Sequence, residues 1–202
     1  MGSRRGDDAA GHLWGAMQPD ESVLVERSKG RDLSAFNQIV ERYQAHVFNL
    51  AARILGDRTA AEDVAQETFI SAFRAIDGFR GGSLRAWLLR IASNRSYDSL
   101  RSSKRRSENS LDESLENPSF QPATKDPSPE QLALRGELRD EIQNAVLSLP
   151  ADQRAVVVMV DVQGLSYDEA SEATGASLGT VKSRLSRARA AVRSHLLERS
   201  EL

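Results

Sequence analysis

The chain has 202 residues, 40% hydrophobic and 28% charged, with a formal net charge of −2, a soluble composition that suits one domain or two small ones. It holds no cysteine and only three histidines, His12, His46 and His195, far apart in sequence; this excludes disulfides, thiolate metal sites and a cysteine nucleophile, and no metal or cofactor is expected. No apolar run approaches the ~18 residues of a spanning helix, and Arg4 and Arg5 are followed by Asp7, Asp8 and glycine, so neither membrane insertion nor a signal peptide is predicted.

Residues 1–19 are expected to be a disordered tail. A helical domain follows over residues 20–106. Phe36, Ile39, Val40, Tyr43, Val47, Leu50 and Ile54 recur at three- and four-residue steps, the period of one buried helix face. Gly56-Asp57 breaks that helix. Thr59 with Glu62 predicts a capping box for a second helix running to about Ile76, with Val64, Ala65, Thr68 and Ala72 inward. After a glycine loop at 78–82, a third helix is predicted from about Leu84 to Arg101, with Leu84, Trp87, Leu88, Ile91 and Ala92 inward.

Residues 107–129 read as a flexible, acidic linker. Four of the six prolines fall between residues 107 and 130, and apolar residues are too sparse there to offset ordering entropy. The second domain spans residues 130–202. Leu134, Leu138, Ile142, Ala145, Val146 and Leu149 form a helical face that stops at Pro150. Residues 155–160, Ala-Val-Val-Val-Met-Val, favour a strand by local propensity. They are read as a helix because no partner strand is visible in the sequence. Ser166-Tyr167-Asp168-Glu169 is a capping box that opens a short helix, Thr174-Gly175-Ala176 breaks it, and Ser177 caps a longer one with Val181, Leu185, Ala188 and Val192 inward. The fold class is therefore all-α: two small helical domains, the C-terminal one a helix-turn-helix.

Charge is patterned along this plan. Residues 31–106 hold 13 Lys/Arg against 8 Asp/Glu, residues 107–141 hold 3 against 9, residues 152–172 hold five acids with one arginine, and residues 182–193 hold Lys182, Arg184, Arg187, Arg189 and Arg193 with no acid. Two basic regions separated by an acidic one point to two polyanion contacts. In the helix-turn-helix, Thr180, Lys182, Ser183, Arg184, Ser186 and Arg187 lie on the outer face of the second helix. Lys and Arg reach guanine edges or phosphate, and Ser and Thr reach either, as a major-groove helix requires. The alternative is a helical hairpin with a solvated basic face. On the second helix of the first domain, Asp63, Gln66, Glu67, Ile70 and Arg74 share the face opposite the core. An exposed isoleucine among polar residues fits a contact with another protein's helix, or a plain solvated face. On the third helix, Arg90, Asn94, Tyr97 and Arg101 form a stripe that Lys104, Arg105 and Arg106 continue, with Phe79 and Trp87 at its start. Cations along phosphates and rings against bases suit single-stranded DNA, although Trp87 is as readily core.

The segments that carry these features are Asp63-Val64-Ala65-Gln66-Glu67-Thr68-Phe69, Phe79-Arg80-Gly81-Gly82-Ser83, Trp87-Leu88-Leu89-Arg90-Ile91-Ala92-Ser93-Asn94, Gly164-Leu165-Ser166-Tyr167-Asp168-Glu169 and Gly179-Thr180-Val181-Lys182-Ser183-Arg184-Leu185. In this order, with a linker between the third and fourth, they make the chain resemble the extracytoplasmic-function (ECF) group of bacterial sigma-70 factors. The resemblance implies a transcription initiation factor in the cytoplasm, not an enzyme. It implies core RNA polymerase, promoter DNA and an anti-sigma factor as partners. It carries the Asp63-to-Arg74 stripe to the helix that docks on polymerase. It carries Phe79, Arg80, Trp87, Arg90, Asn94, Tyr97 and Arg101 to melting and reading of the −10 element, Asn94 beside a flipped base. It carries the face from Thr180 to Arg187 to the −35 duplex. One departure is Gly82, where an acid is common.

Overall fold

The computed structural model describes residues 20–109 and 129–200, and among these every regular element is helical. The tail at residues 1–19 and residues 110–128 of the linker expected over 107–129 lie outside the described residues, while residues 107–109 and 129 are helical. The first domain comprises α1 (Glu21–Lys29), α2 (Leu33–Leu55), α3 (Arg58–Ala75), a 3-10 turn (Ile76–Gly78) and α4 (Leu84–Asn109). The second comprises α5 (Pro129–Leu147), α6 (Ala151–Val157), a π-helical turn (Val158–Val162), α7 (Tyr167–Thr174) and α8 (Leu178–Ser200).

Local chemistry sets the boundaries. The Asp32 carboxylate accepts the N–H groups of Ser34 (2.9 Å) and Ala35 (3.1 Å), which fixes the start of α2. Gly56, at φ +74°, ends it in the left-handed conformation and returns its N–H to the Ala52 carbonyl at 2.9 Å. Between these caps Phe36, Ile39, Val47, Leu50 and Ile54 are buried, the face that the periodicity predicts. The next helix departs from expectation: its cap is Asp57, whose carboxylate takes the Ala60 N–H at 3.0 Å, and not Thr59. Aspartate outranks threonine as a cap, and here it stands directly after the αL turn. The sequence reading also misses α1, whose buried side is only Leu24, Val25 and Ser28, too short to show a period. It ends α4 eight residues early; Lys104 and Arg105 lie toward that helix's C-terminus, where cations favour its continuation.

In the second domain the apolar run at 155–160 is helical: α6 passes into the π turn, and Ala155, Val156, Val157, Val158 and Met159 are all buried. Burial on every side, and not strand geometry, explains the unbroken run. Leu138, expected on the buried face of α5, is 53% exposed; among the described side chains of α5, Ala145 and Val146 are buried and Ile142 packs partly buried against the core.

The two domains share one buried core, with α4 packed on α7 and α2 packed on α5, α6 and the π turn. Polar groups cross the seam. His46 Nδ1 and Gln163 Oε1 are 2.8 Å apart, and Gln163 Nε2 donates to the His46 carbonyl at 3.2 Å. Gln143 Nε2 donates to the Arg53 carbonyl at 3.4 Å. Arg154 donates to the Ile54 carbonyl at the end of α2, and to those of Leu147 and Leu149 at the end of α5. Helix C-termini leave carbonyls without internal partners, and one guanidinium satisfies two such ends at once. Burial pushes the Arg154 guanidinium below its ordinary value. Beside it, a β-carbon at Gly56 would lie 2.8 Å from Leu147 Cδ1, so a larger residue here would displace the leucine methyl as well as strain the φ of +74°. Arg154→Ala leaves these carbonyls without their charged donor and is expected to lower unfolding free energy by about 2–4 kcal/mol, read as a lower midpoint in urea denaturation.

Candidate nucleic-acid and protein interfaces

The polar stripe of α3 stands where the helical period puts it. Asp63, Gln66, Glu67, Ile70 and Arg74 are all exposed, Ile70 by 52%, while Val64, Thr68 and Ala72 face the core. Thr68 is tolerated inside because its hydroxyl donates to the Val64 carbonyl at 2.7 Å. Arg95 of α4 reaches over to Ser71 Oγ (2.8 Å) and Glu67 (3.8 Å), which fixes one edge of the stripe. What remains is a ridge with one large apolar side chain amid charges, a shape that a partner helix can cover.

The loop after α3 and the first turns of α4 build a cleft of about 260 Å³. Gly81 and Gly82, at φ +95° and +89°, take a path closed to most residues and bring Arg80 and Ser83 to its rim. Ser83 then caps α4, its hydroxyl accepting the Ala86 N–H at 3.2 Å. Phe79 and Trp87 meet with ring centroids 5.4 Å apart and planes tilted by 56°. Phe79 is buried, whereas Trp87 is half-buried, packing on the core and lining the cleft at once. Arg80 and Arg90 complete the wall. Rings flanked by guanidinium groups can stack a base and hold its phosphate.

The rest of the α4 stripe divides. Asn94 is exposed one turn beyond Arg90 and is not part of the cleft wall. Tyr97 turns inward, and its hydroxyl donates to the Ala151 carbonyl at 3.0 Å; burial raises its pKa. Arg101 pairs with Asp98 at 2.8 Å and borders a second, basic cleft with Lys104 and Arg105.

In the helix-turn-helix, Ser166 Oγ accepts the Glu169 N–H (3.2 Å) and Glu169 Oε2 accepts the Ser166 N–H (2.9 Å), the reciprocal box that the sequence predicts. The Ser166 backbone, and next the Ser83 hydroxyl from across the seam, hold the Glu169 carboxyl below its ordinary value. The turn is tied by Ser171 Oγ donating to the Ala176 carbonyl at 2.6 Å, and Ser177 Oγ accepts the Thr180 N–H at 3.2 Å to start α8. Val181, Leu185 and Ala188 are buried; Lys182, Ser183, Ser186 and Arg187 are exposed, and Thr180 and Arg184 are half-buried. Arg184 is engaged, with its Nε 2.9 Å from Asp152. Asp152, and with it Glu172 on the wall of the α4 cleft, went unassigned in the sequence reading; their only signal was the excess of acids over residues 152–172.

Comparison with known proteins places these features in a family setting. The family description "Sigma-70 region 2" matches residues 39–106, and "Sigma-70, region 4" matches residues 139–192. The chain is 41% identical over 181 residues to the ECF RNA polymerase sigma-E factor of Salmonella typhimurium, covering 87% of this chain and 93% of that protein. It is 37% identical over 168 residues to the ECF RNA polymerase sigma factor SigE of Mycolicibacterium smegmatis, spanning 83% of this chain but only 64% of the relative. Among solved structures, the sigma factor RpoE in complex with the anti-sigma factor NepR, from Bartonella quintana, is similar with a TM-score of 0.66 at 29% identity, over 80% of this chain and 96% of that one. CnrH in complex with the cytosolic domain of CnrY gives a TM-score of 0.64 at 29% identity, over 87% and 96%.

The capping box titrates. A carboxyl held below its ordinary value of 4.5 supports folding above that value and loses this contribution as pH falls through its lowered one. Thermal stability is therefore expected to drop as pH falls from about 5 to about 3, and Glu169→Gln is expected to flatten that part of the profile in scanning calorimetry.

Proposed function

The chain belongs to the ECF group of sigma-70 factors, which direct RNA polymerase to promoters, and on that premise we propose how its own residues divide the work. The α3 ridge, with Asp63, Gln66, Glu67, Ile70 and Arg74, docks on core RNA polymerase. The cleft of Phe79, Arg80, Trp87 and Arg90 takes a melted −10 strand, with Asn94 reading an extruded base and Tyr97 and Arg101 extending the track. Extruding a base costs a few kcal/mol of stacking, so a wall of rings and cations that repays it favours the sequence that fits. The outer face of α8, with Thr180, Lys182, Ser183, Arg184, Ser186 and Arg187, reads the −35 duplex through the major groove. The domains are residues 20–106 and 130–202, joined by residues 107–129.

No covalent step falls to this chain. It positions a polymerase that does the chemistry, and it works in the cytoplasm with that polymerase. An anti-sigma factor is a further partner in this reading, as NepR is for the sigma factor RpoE of Bartonella quintana, with which it forms a complex. The observation that carries this reading is the pairing, within one chain, of an aromatic–arginine cleft on α4 with a capped helix-turn-helix.

Transcription reconstituted with core polymerase tests it. Asn94→Ala is expected to reduce open-complex formation at least tenfold in permanganate footprinting while leaving core binding unchanged. Arg187→Ala is expected to weaken promoter binding by about 1–3 kcal/mol, with the loss confined to the upstream element in a gel shift. Ile70→Asp is expected to weaken association with core polymerase at least tenfold by surface plasmon resonance, with unchanged circular dichroism because the side chain is exposed.

A further inference from the structure

Among the described residues, Arg31 alone combines a side chain with a left-handed backbone, at φ +64°. It stands at the turn from α1 to α2. The Arg31 N–H returns to the Ser28 carbonyl at 2.9 Å and the Asp32 N–H to the Arg27 carbonyl at 3.1 Å, the paired bonds that close a helix end around a left-handed residue. Glycine is the usual occupant of that place, and this chain has one directly before it. Gly30 nevertheless keeps an ordinary φ of −72°, and the arginine takes the strained position. An arginine held where a glycine would be unstrained points to work done by its side chain.

That side chain leaves its own corner and grips the end of α3. Its Nη1 donates at 3.1 Å to the carbonyl of Phe73, in the last turn of α3, where helix carbonyls run out of internal partners. Its Nη2 donates to Asp77 Oδ2 at 2.7 Å, within the 3-10 turn. The guanidinium carbon lies 5.5 Å from the centroid of the Phe73 ring, and that ring packs tilted on Phe36 of α2 at 4.9 Å. One planar group thus fixes the point where α3 gives way to the 3-10 turn. From there the chain runs directly into Gly78, Phe79 and Arg80, which line the α4 cleft. Arg31 itself is not in the cleft wall.

The grip adds little to folding. Arg31 and Asp77 are each about half exposed, and an exposed ion pair contributes little to stability. A left-handed backbone costs an L-residue a comparable amount. The two nearly cancel, and what remains is control of direction. We infer that Arg31 is a positioning residue for strand capture: from the α1–α2 corner it sets the angle at which the chain leaves α3, and with it the place of Phe79 and Arg80 in the cleft. This rests on the cleft being the site of strand capture.

Arg31→Gly separates position from stability, because glycine keeps the turn unstrained while removing the grip. Its thermal midpoint is expected to stay within about 3 °C of the unaltered chain, with affinity for core polymerase unchanged. In the reconstituted holoenzyme, closed-complex affinity is expected to hold, whereas the rate of isomerisation to the open complex falls about tenfold. Arg31→Lys keeps the charge but lacks the planar fork, and is expected to lose about as much. Asp77→Ala, at an exposed site, is expected to show a smaller loss that disappears in the Arg31→Gly background. With Trp14 replaced by phenylalanine, Trp87 is the remaining tryptophan, and its emission is expected to shift in Arg31→Gly as Phe79 moves against it.

Trp87→Ala is the reference for the cleft. If it slows isomerisation and Arg31→Gly does not, the positioning role is overturned and the cleft stands. If Trp87→Ala slows nothing, the cleft fails and the role with it. A lowered midpoint with core binding lost in step makes Arg31 a stabilising residue only and overturns the proposal. Full activity of Arg31→Lys, or unchanged Trp87 emission in Arg31→Gly, overturns it as well.

Discussion

One arginine joins the ends of two helices from different domains. Arg154 closes the C-termini of α2 and α5 through the carbonyls of Ile54, Leu147 and Leu149. Helix ends are where backbone acceptors go unpaired, and a buried acceptor without a donor is costly. A planar fork of donors is the side chain best shaped to serve several at once. With Arg154 seated, α6 is pinned beneath α2, the π turn carries Gln163 to His46, and α7 is delivered onto α4. The α4 cleft and the helix-turn-helix take their relative places from that arrangement.

Much of this was legible in the residues. The α2 face from Phe36 to Ile54, the inward face of α3 and the Ser166–Glu169 box follow from period and capping, which are local and leave a local imprint. The exposed ridge around Ile70 follows as well, because a helix that buries one face must present the other. Asp57 displaced Thr59 as the α3 cap because two adequate caps stood two residues apart, and the one next to the αL turn prevailed.

What the residues hid were contacts between the domains. Tyr97 reads on a helix wheel as a base-stacking ring, yet its hydroxyl serves the Ala151 carbonyl more than 50 positions away. Glu172 reads as a solvated acid in a short helix, yet it stands at the rim of a cleft from the other domain. Nothing in local pattern encodes such partners, because they depend on how two separately periodic units dock. The charge excess over residues 152–172 was the one trace, and it identified the sign of the surface but not what it faces.

The fit of Leu147 over Gly56 has an evolutionary corollary. Glycine at 56 serves the αL turn of one domain and leaves the space that a leucine methyl of the other fills. A bulkier residue at either position is felt at both, so the two should covary among relatives. Chimeras that graft one domain onto a paralogue's other half would inherit a mismatch at this point even when each half folds well alone.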